Sequence, residues 1–276
     1  LSIHEQASAT KKQVLFNIPL QMIDVAISGP ICQLTLTRPA CLNAFNQQMR
    51  QELVDVLTLI NEDQQIKTVV LLAQGNCFSA GADLSELANE CDNLEAQLLE
   101  EYAPIFHSIR RSDKIFIAGV NGVAAGIGAA LAMSCDLLVM ADDARLYPAF
   151  MLLGLVPDGG TSWQFVKRLG YRKALEVCLE AKAIDANDCL GFGLTNKVVE
   201  LEQLQPAVNA WATKLAQGPL PAQRHLKQLL QKVDQMTFKD AFVAEAQLQQ
   251  QCFTSRDFNE GLRAFFEKRQ PNFSGK

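Results

Sequence analysis

From Lys114 to Thr161 the chain reads KIFIAGVNGVAAGIGAALAMSCDLLVMADDARLYPAFMLLGLVPDGGT, and this stretch constrains the fold more than any other. Its opening, Ile115–Val120, is an apolar run too short for a helix and reads as a buried strand. Asn121-Gly122-Val123-Ala124-Ala125-Gly126-Ile127-Gly128 follows, a glycine-punctuated turn that leads into a helix of small residues. A second apolar run, Leu137–Ala141, reads as another strand. Backbone N–H groups delivered at the start of a helix make a natural site for negative charge. The stretch closes in Pro157-Asp158-Gly159-Gly160-Thr161, where a lone carboxylate stands among apolar residues and turn formers. An acid close to such a site suggests proton-transfer chemistry.

The rest of the chain extends this pattern. Met22–Ile27 and Ile31–Thr37 are predicted strands joined by Ser28-Gly29-Pro30, a hairpin signal, and Arg38-Pro39 stops the second. Phe45, Met49, Leu53, Val56 and Ile60 recur at spacings of three and four, which predicts an amphipathic helix over Asn46–Ile60. Thr68–Ala73 is a continuous apolar run, a buried strand of the parallel type. Gly75–Leu84 is small and turn-prone, and Glu95–Arg111 is predicted helical. Downstream, Trp163–Leu169 and Arg172–Glu180 read as helices broken at Gly170-Tyr171, and Asn196–Val199 as a short strand. Four more helices are predicted: Glu202–Gln217, Pro221–Val233, Lys239–Gln251 and Arg256–Lys268. Alternating strand and helix followed by a helical tail argues for an α/β layer with parallel strands and a helical subdomain. The expected organisation is a polar arm over residues 1–16, an α/β core over 17–201 and a helical region over 202–276.

Composition narrows the function classes. A net charge of −5 gives no basic surface for nucleic acid. The 8 cysteines and 3 histidines are dispersed without CxxC spacing, against a zinc or redox site and in favour of reduced thiols in an intracellular protein. No segment approaches the roughly 18 continuous apolar residues of a membrane span, and no basic-then-apolar leader opens the numbering, so a cytoplasmic location is expected.

Two glycine-containing loops, Phe78–Asp83 and Asn121–Gly128, each follow a predicted buried strand. Ligands of open α/β sheets bind beyond the carboxyl ends of strands. Two loops there can each aim one backbone N–H at a common point, the geometry of an oxyanion hole. Taken singly, each loop is also an ordinary strand-to-helix turn. Neither ends in the Gly-Lys-Ser/Thr of a phosphate loop. Asp83 reads first as an Asx-turn or helix-cap residue and Asp136 as structural, while Asp158 is as readily a turn residue as a proton carrier. His4, His107 and His225 lie in the arm and in helices, where none suits a nucleophile–histidine–acid triad.

Several of these segments, in this order and spacing, resemble the crotonase superfamily, the enoyl-CoA hydratase/isomerase family. They are Arg38-Pro39 with Leu42-Asn43-Ala44-Phe45, Phe78–Asp83, Asn121–Gly128, Cys135-Asp136 and Leu153–Gly160. The resemblance spans about Ile18 to Phe273. It implies an α/β fold, a crotonase-like ββα spiral core with a C-terminal helical trimerisation region, and a homotrimer or hexamer. It also implies binding of an acyl-CoA thioester whose carbonyl sits between two backbone N–H groups, by position those of Ala82 and Ile127. Further substrate contacts are implied for Ala44, Ser79, Ala80, Gly81, Asp83 and Leu84. On the other side of the site they are implied for Ala125, Gly126, Phe150, Leu155 and Pro157.

The departures from the family pattern bear on the reaction. Family hydratases carry two glutamates that handle water, at positions occupied here by Ala130 and Phe150. A subset of family isomerases places one acid directly after the proline of the last motif, where Asp158 stands. The implied reaction is a shift of a 3-enoyl-CoA double bond to trans-2-enoyl-CoA, with Asp158 as the single proton carrier. It needs no metal or redox cofactor, because CoA is part of the substrate. A free Asp has a pKa of about 3.9 and is a weak base for a carbon acid. Burial among Phe150, Leu155, Val156 and Pro157 is expected to raise it. The alternatives are a hydratase or other acyl-CoA enzyme of the same superfamily, and a non-catalytic acyl-CoA-binding module.

Overall fold

A computed structural model describes residues 19–90 and 92–275, so the expected arm at 1–16 lies outside the described residues. Strands β1 (Ile23–Ser28) and β2 (Ile31–Leu36) pair antiparallel across a two-residue turn, with Ser28 opposite Ile31. Helix α1 (Gln47–Glu62) follows, its first turn capped by the Asn46 side chain, which accepts from the Met49 N–H at 3.0 Å. Its apolar stripe, Met49, Leu53, Val56 and Ile60, is buried, and buried Glu52 accepts from the amides of Gln21, Met22 and Ile23. Strand β3 (Thr68–Ala73) leads to α2 (Leu84–Glu90), α3 (Leu94–Gln97) and α4 (Ala103–Arg110). Next come β4 (Ile115–Val120), β5 (Val123–Ala125), α5 (Ile127–Ser134), β6 (Leu137–Ala141) and β7 (Arg145–Tyr147). The chain continues through α6 (Thr161–Leu169), α7 (Tyr171–Leu179), β8 (Ile184–Asp185), α8 (Ala186–Gly191) and β9 (Lys197–Val199). It ends in α9 (Leu204–Ala216), α10 (Leu220–Leu230), α11 (Phe238–Phe253) and α12 (Arg256–Glu267).

The main sheet runs β1-β2-β3-β4-β6-β9, parallel from β2 onward. β3 and β4 are buried along almost their whole length, which is why they read as unbroken apolar runs. A second small sheet, β5-β7-β8, stands beside it. Its strands are two or three residues long, too short to leave a periodic signature.

The helix expected over Glu95–Arg111 is not one regular helix. A π-helical turn, Leu98–Tyr102, separates α3 from α4, and the Ala103 N–H reaches back to the Leu98 carbonyl. Pro104, in the first turn of α4, has no N–H to give to Glu100, so the regular ladder cannot run through this point. A helix that the sequence reading did not assign, Leu84–Glu90, begins at the end of the turn-prone stretch Gly75–Leu84, and Ala149–Leu153 forms a 3₁₀ turn.

The helical tail divides in two. α9, expected in the C-terminal region, packs on the sheet and buries Leu204, Val208 and Ala212 in the main core. α10 is tied down by Lys227, whose buried ammonium donates to the Ile109 carbonyl (3.1 Å), the Lys114 carbonyl (2.9 Å) and Asp136 Oδ2 (2.8 Å). α10 to α12 leave Leu230, Phe238, Phe242, Phe253 and Phe265 exposed. Among the described residues no helix is long and apolar enough to cross a membrane.

Candidate active site

The loop after β3 is held on both sides. The Asn43 amide donates to the carbonyls of Gln74 (2.9 Å) and Cys77 (2.8 Å). The Ser79 hydroxyl donates to the Asn43 carbonyl (2.8 Å) and accepts from the Gly81 N–H (3.1 Å). Ser79 also pairs with β5: its N–H donates to Val123 and its carbonyl accepts from Ala125. Further on, the Phe45 N–H donates to the Gly81 carbonyl and the Asp83 N–H donates to the Phe45 carbonyl. Phe45 thus bonds the residues on either side of Ala82, and the N–H of Ala82 itself faces away from it.

The second loop brings another amide to the same place. Gly126 ends β5 with φ +50° and ψ −127°, and Ile127 is the first residue of α5, where an N–H has no helical partner. Gly81, with φ +95°, is so close that a Cβ on it would stand 2.9 Å from the Ala125 carbonyl oxygen and 3.6 Å from Ile127 N. Both glycines adopt backbone conformations that a side chain disfavours, and each directly precedes one of the converging amides.

Gly81, Ala82, Gly126 and Ile127 open onto an apolar cavity of about 260 Å³. Of the other residues singled out from the sequence, Ala80, Leu84, Phe150, Leu155 and Asp158 also line it. Ala44, Ser79, Asp83, Ala125 and Pro157 do not. Ala44 and Ala125 are buried behind the loops, and the Ser79 hydroxyl is used within them. Pro157 leads into Asp158 but stands outside the wall. Asp83 turns the other way: Arg38 NH1 donates to it at 2.6 Å and holds its carboxyl below the usual range. It also accepts from the Ser85 N–H at the start of α2, the role of a turn residue. Glu86 pairs with buried Arg50 and Asp136 with Lys227, so neither is free for chemistry.

Asp158 is the carboxylate that lines the cavity among the described residues. It sits in the turn between the 3₁₀ segment and α6, where its carbonyl accepts from the Thr161 N–H at 2.9 Å. Its Oδ1 is shut off from solvent and has no hydrogen-bond partner. Burial pushes its pKa up to about 6, partly offset by its own backbone amide. The direction is the expected one, but Val156 does not cause it, being 76% exposed. The apolar cavity wall supplies the desolvation instead.

The sequence reading missed the opposite wall, formed by Leu87, Leu94, Leu98 and Tyr102. Leu94, Leu98 and Tyr102 recur every four residues, and such a stripe reads as ordinary core from the sequence. Only the packing of α3 and the π-helical turn against the two loops makes it a cavity face.

Two amides beside an apolar cavity, with one carboxylate in its wall, form an arrangement that can hold a carbonyl oxygen next to a group able to carry a proton. The family model described as "Enoyl-CoA hydratase/isomerase" matches residues 26–276. A "probable enoyl-CoA hydratase" of Rhodobacter capsulatus is 35% identical over 91% of this chain and 96% of its own length. The 1,2-epoxyphenylacetyl-CoA isomerase of Escherichia coli is 32% identical over 89% of this chain and 95% of its own. The solved structure of a Bacillus anthracis enoyl-CoA hydratase superposes with a TM-score of 0.87 at 28% identity, covering 93% of this chain and 100% of that one. The chain belongs to the enoyl-CoA hydratase/isomerase family, with its crotonase-like α/β core.

Proposed function

We propose that the protein is an enoyl-CoA isomerase that moves a 3-enoyl-CoA double bond to the trans-2 position. The observation that carries this reading is that Asp158 is the single carboxylate lining the cavity among the described residues. A 1,3 proton shift needs one group that acts first as base and then as acid. Ionised Asp158 takes the proton from C2. The electron pair of that bond moves through the thioester, and the dienolate oxygen accepts hydrogen bonds from the Ala82 and Ile127 N–H groups. The protonated Asp158 then returns the proton at C4, which completes the shift and restores the carboxylate. Each amide donor of this kind contributes roughly 2.7–4 kcal/mol to transition-state stabilisation. With its pKa raised to about 6, Asp158 is a stronger base than an ordinary aspartate and remains ionised at neutral pH.

Hydration is the competing reading, favoured by relatives named as hydratases. Against it, Ala130 is 1% exposed and absent from the cavity wall, and Phe150 presents an aromatic ring. The test is Asp158→Asn assayed with 3-enoyl-CoAs of several chain lengths. The expected result is loss of isomerisation with acyl-CoA affinity nearly unchanged. Retention of most of kcat would exclude Asp158 as the proton carrier.

The exposed apolar faces of α10 to α12 support a second proposal, that the protein assembles as a homotrimer or a hexamer of two trimers through these helices.

A further inference from the structure

Ser79 is fully buried and stands outside the cavity wall, yet both loops that carry the converging amides rest on it. On the Ala82 side its hydroxyl accepts from the Gly81 N–H at 3.1 Å and donates to the Asn43 carbonyl at 2.8 Å. Among the described residues neither of those backbone groups has another hydrogen-bond partner. On the Ile127 side the first turn of α5 lies directly against the same side chain: a Cβ on Gly128 would stand 2.7 Å from both Cβ and Oγ of Ser79. The backbone of Ser79 makes a separate connection. Its N–H donates to the Val123 carbonyl at 3.2 Å, and its carbonyl accepts from the Ala125 N–H at 2.8 Å.

Backbone and side chain thus do different things. The two bonds to β5 join the loops whatever side chain residue 79 carries, so they serve the fold. The hydroxyl alone bonds the Gly81 N–H. Gly81 has φ +95° and no Cβ, so its own torsions resist rotation only weakly. The peptide after Gly81 carries the Ala82 N–H, and Phe45 holds the carbonyl of that peptide and the Asp83 amide beyond it. Ser79 supplies the hold on the other side, at the amide before it, so the direction of the Ala82 N–H is fixed from both ends. Such an amide stabilises a developing oxyanion only when it stands about 2.7–3.1 Å from it and points at it. We infer that Ser79 is a positioning residue: its hydroxyl aims the Ala82 amide at the point that the Ile127 amide also reaches, and so strengthens the hold on the dienolate oxygen without touching the substrate. This indirect role takes the place of the substrate contact implied for Ser79 by the family resemblance. The inference rests on the assignment of the two amides to a thioester oxygen.

The test pairs a ligand that cannot react, hexanoyl-CoA labelled with carbon-13 at its thioester carbon, with steady-state kinetics on a 3-enoyl-CoA. Infrared difference spectra are expected to show the labelled C=O stretch lowered on binding to the wild type and moved back toward its free value in Ser79→Ala. Ser79→Ala keeps the backbone bonds to β5 and is expected to lose about tenfold in kcat. Its KM and its calorimetric affinity for hexanoyl-CoA are expected to stay within about threefold of the wild type. Ser79→Cys keeps a weak donor and acceptor and is expected to fall between the two. A residue that served the fold alone would change the thermal midpoint and leave the stretch of the bound ligand where it was. An unchanged stretch or an unchanged kcat in Ser79→Ala would overturn the inference. So would a KM that rises while kcat holds, the mark of a direct substrate contact. Failure of both variants to fold would make the hydroxyl a requirement of the fold and overturn the inference as well. If the wild type binds hexanoyl-CoA without lowering the stretch, or does not bind it, the assignment of the amides fails and the inference with it.

Discussion

Gly159 and Ala130 are in such close contact that a Cβ on Gly159 would lie 2.7 Å from the Cβ of Ala130. The same position would be 3.1 Å from Phe106 Cζ and 3.2 Å from Ile127 Cγ1. The residue after the proposed base is therefore packed against the helix that begins with a proposed amide donor. Residue 130 has space for a methyl group and little more.

A glutamate at residue 130 is thus not a route back to hydration. Ala130→Glu buries an unpaired carboxyl against Gly159 and Phe106 and is expected to destabilise the fold by at least about 2 kcal/mol. In the unmodified protein, crotonyl-CoA hydration is expected to run at least about two decades slower than isomerisation of the best 3-enoyl-CoA, the typical size of a missing acid–base contribution. Denaturant unfolding checks the first expectation and product analysis of both reactions the second. Comparable rates of hydration and isomerisation would show that a second water-handling group reaches the cavity.

Asp158 links activity to pH and stability in opposite directions. Its pKa is raised from 3.8 to about 6, so kcat/KM for isomerisation should fall as the pH drops through about 6. Between these two values the folded state holds a proton that the unfolded state releases, so stability declines as pH rises through this window. Asp158→Asn escapes that cost. It is expected to match the wild type near pH 4 and to be more stable above pH 7, by up to about 3 kcal/mol. Thermal unfolding across the pH range measures the difference, and a gap that does not grow with pH would count against a buried, ionising Asp158.

Lys227 is expected to hold α10 against the sheet. Lys227→Met removes three donated hydrogen bonds and leaves Asp136 with only the Phe116 N–H at 2.9 Å. The loss should be about 3–5 kcal/mol, because a buried charge is left without its partner. Adding Asp136→Leu should recover part of it. Unfolding of the two single variants and the double variant tests the coupling, and additive losses would mean that the two residues act independently.

The apolar faces of α10 to α12 should be covered by other copies of the chain. Phe238 is 86% exposed, Phe265 77% and Phe242 62% in the single chain. Sedimentation at micromolar concentration is expected to give a trimer or a hexamer, and Phe242→Glu is expected to shift the distribution toward the monomer. A monomer mass for the unmodified protein would remove this proposal.

The sequence by itself determined the strands of the main sheet, most of the helices and the position of the acid. The apolar runs Thr68–Ala73, Ile115–Val120 and Leu137–Ala141 coincide with β3, β4 and β6, because strands covered on both faces cannot tolerate polar interruptions. The glycines of the two loops were legible because their backbone conformations and close approach leave little choice of residue. Asp158 stood out as the acid of the last motif. Tertiary structure alone decided which side chains meet. It turned Asp83 toward Arg38, placed α9 in the core, broke the helix before Pro104, and set Tyr102 and the leucine stripe across the cavity from the loops. A helical stripe looks the same in sequence whether it faces a core or a cavity, since periodicity records that a face is apolar and not what fills the space opposite. The raised pKa of Asp158 has the same origin, in cavity walls contributed from segments distant in the chain.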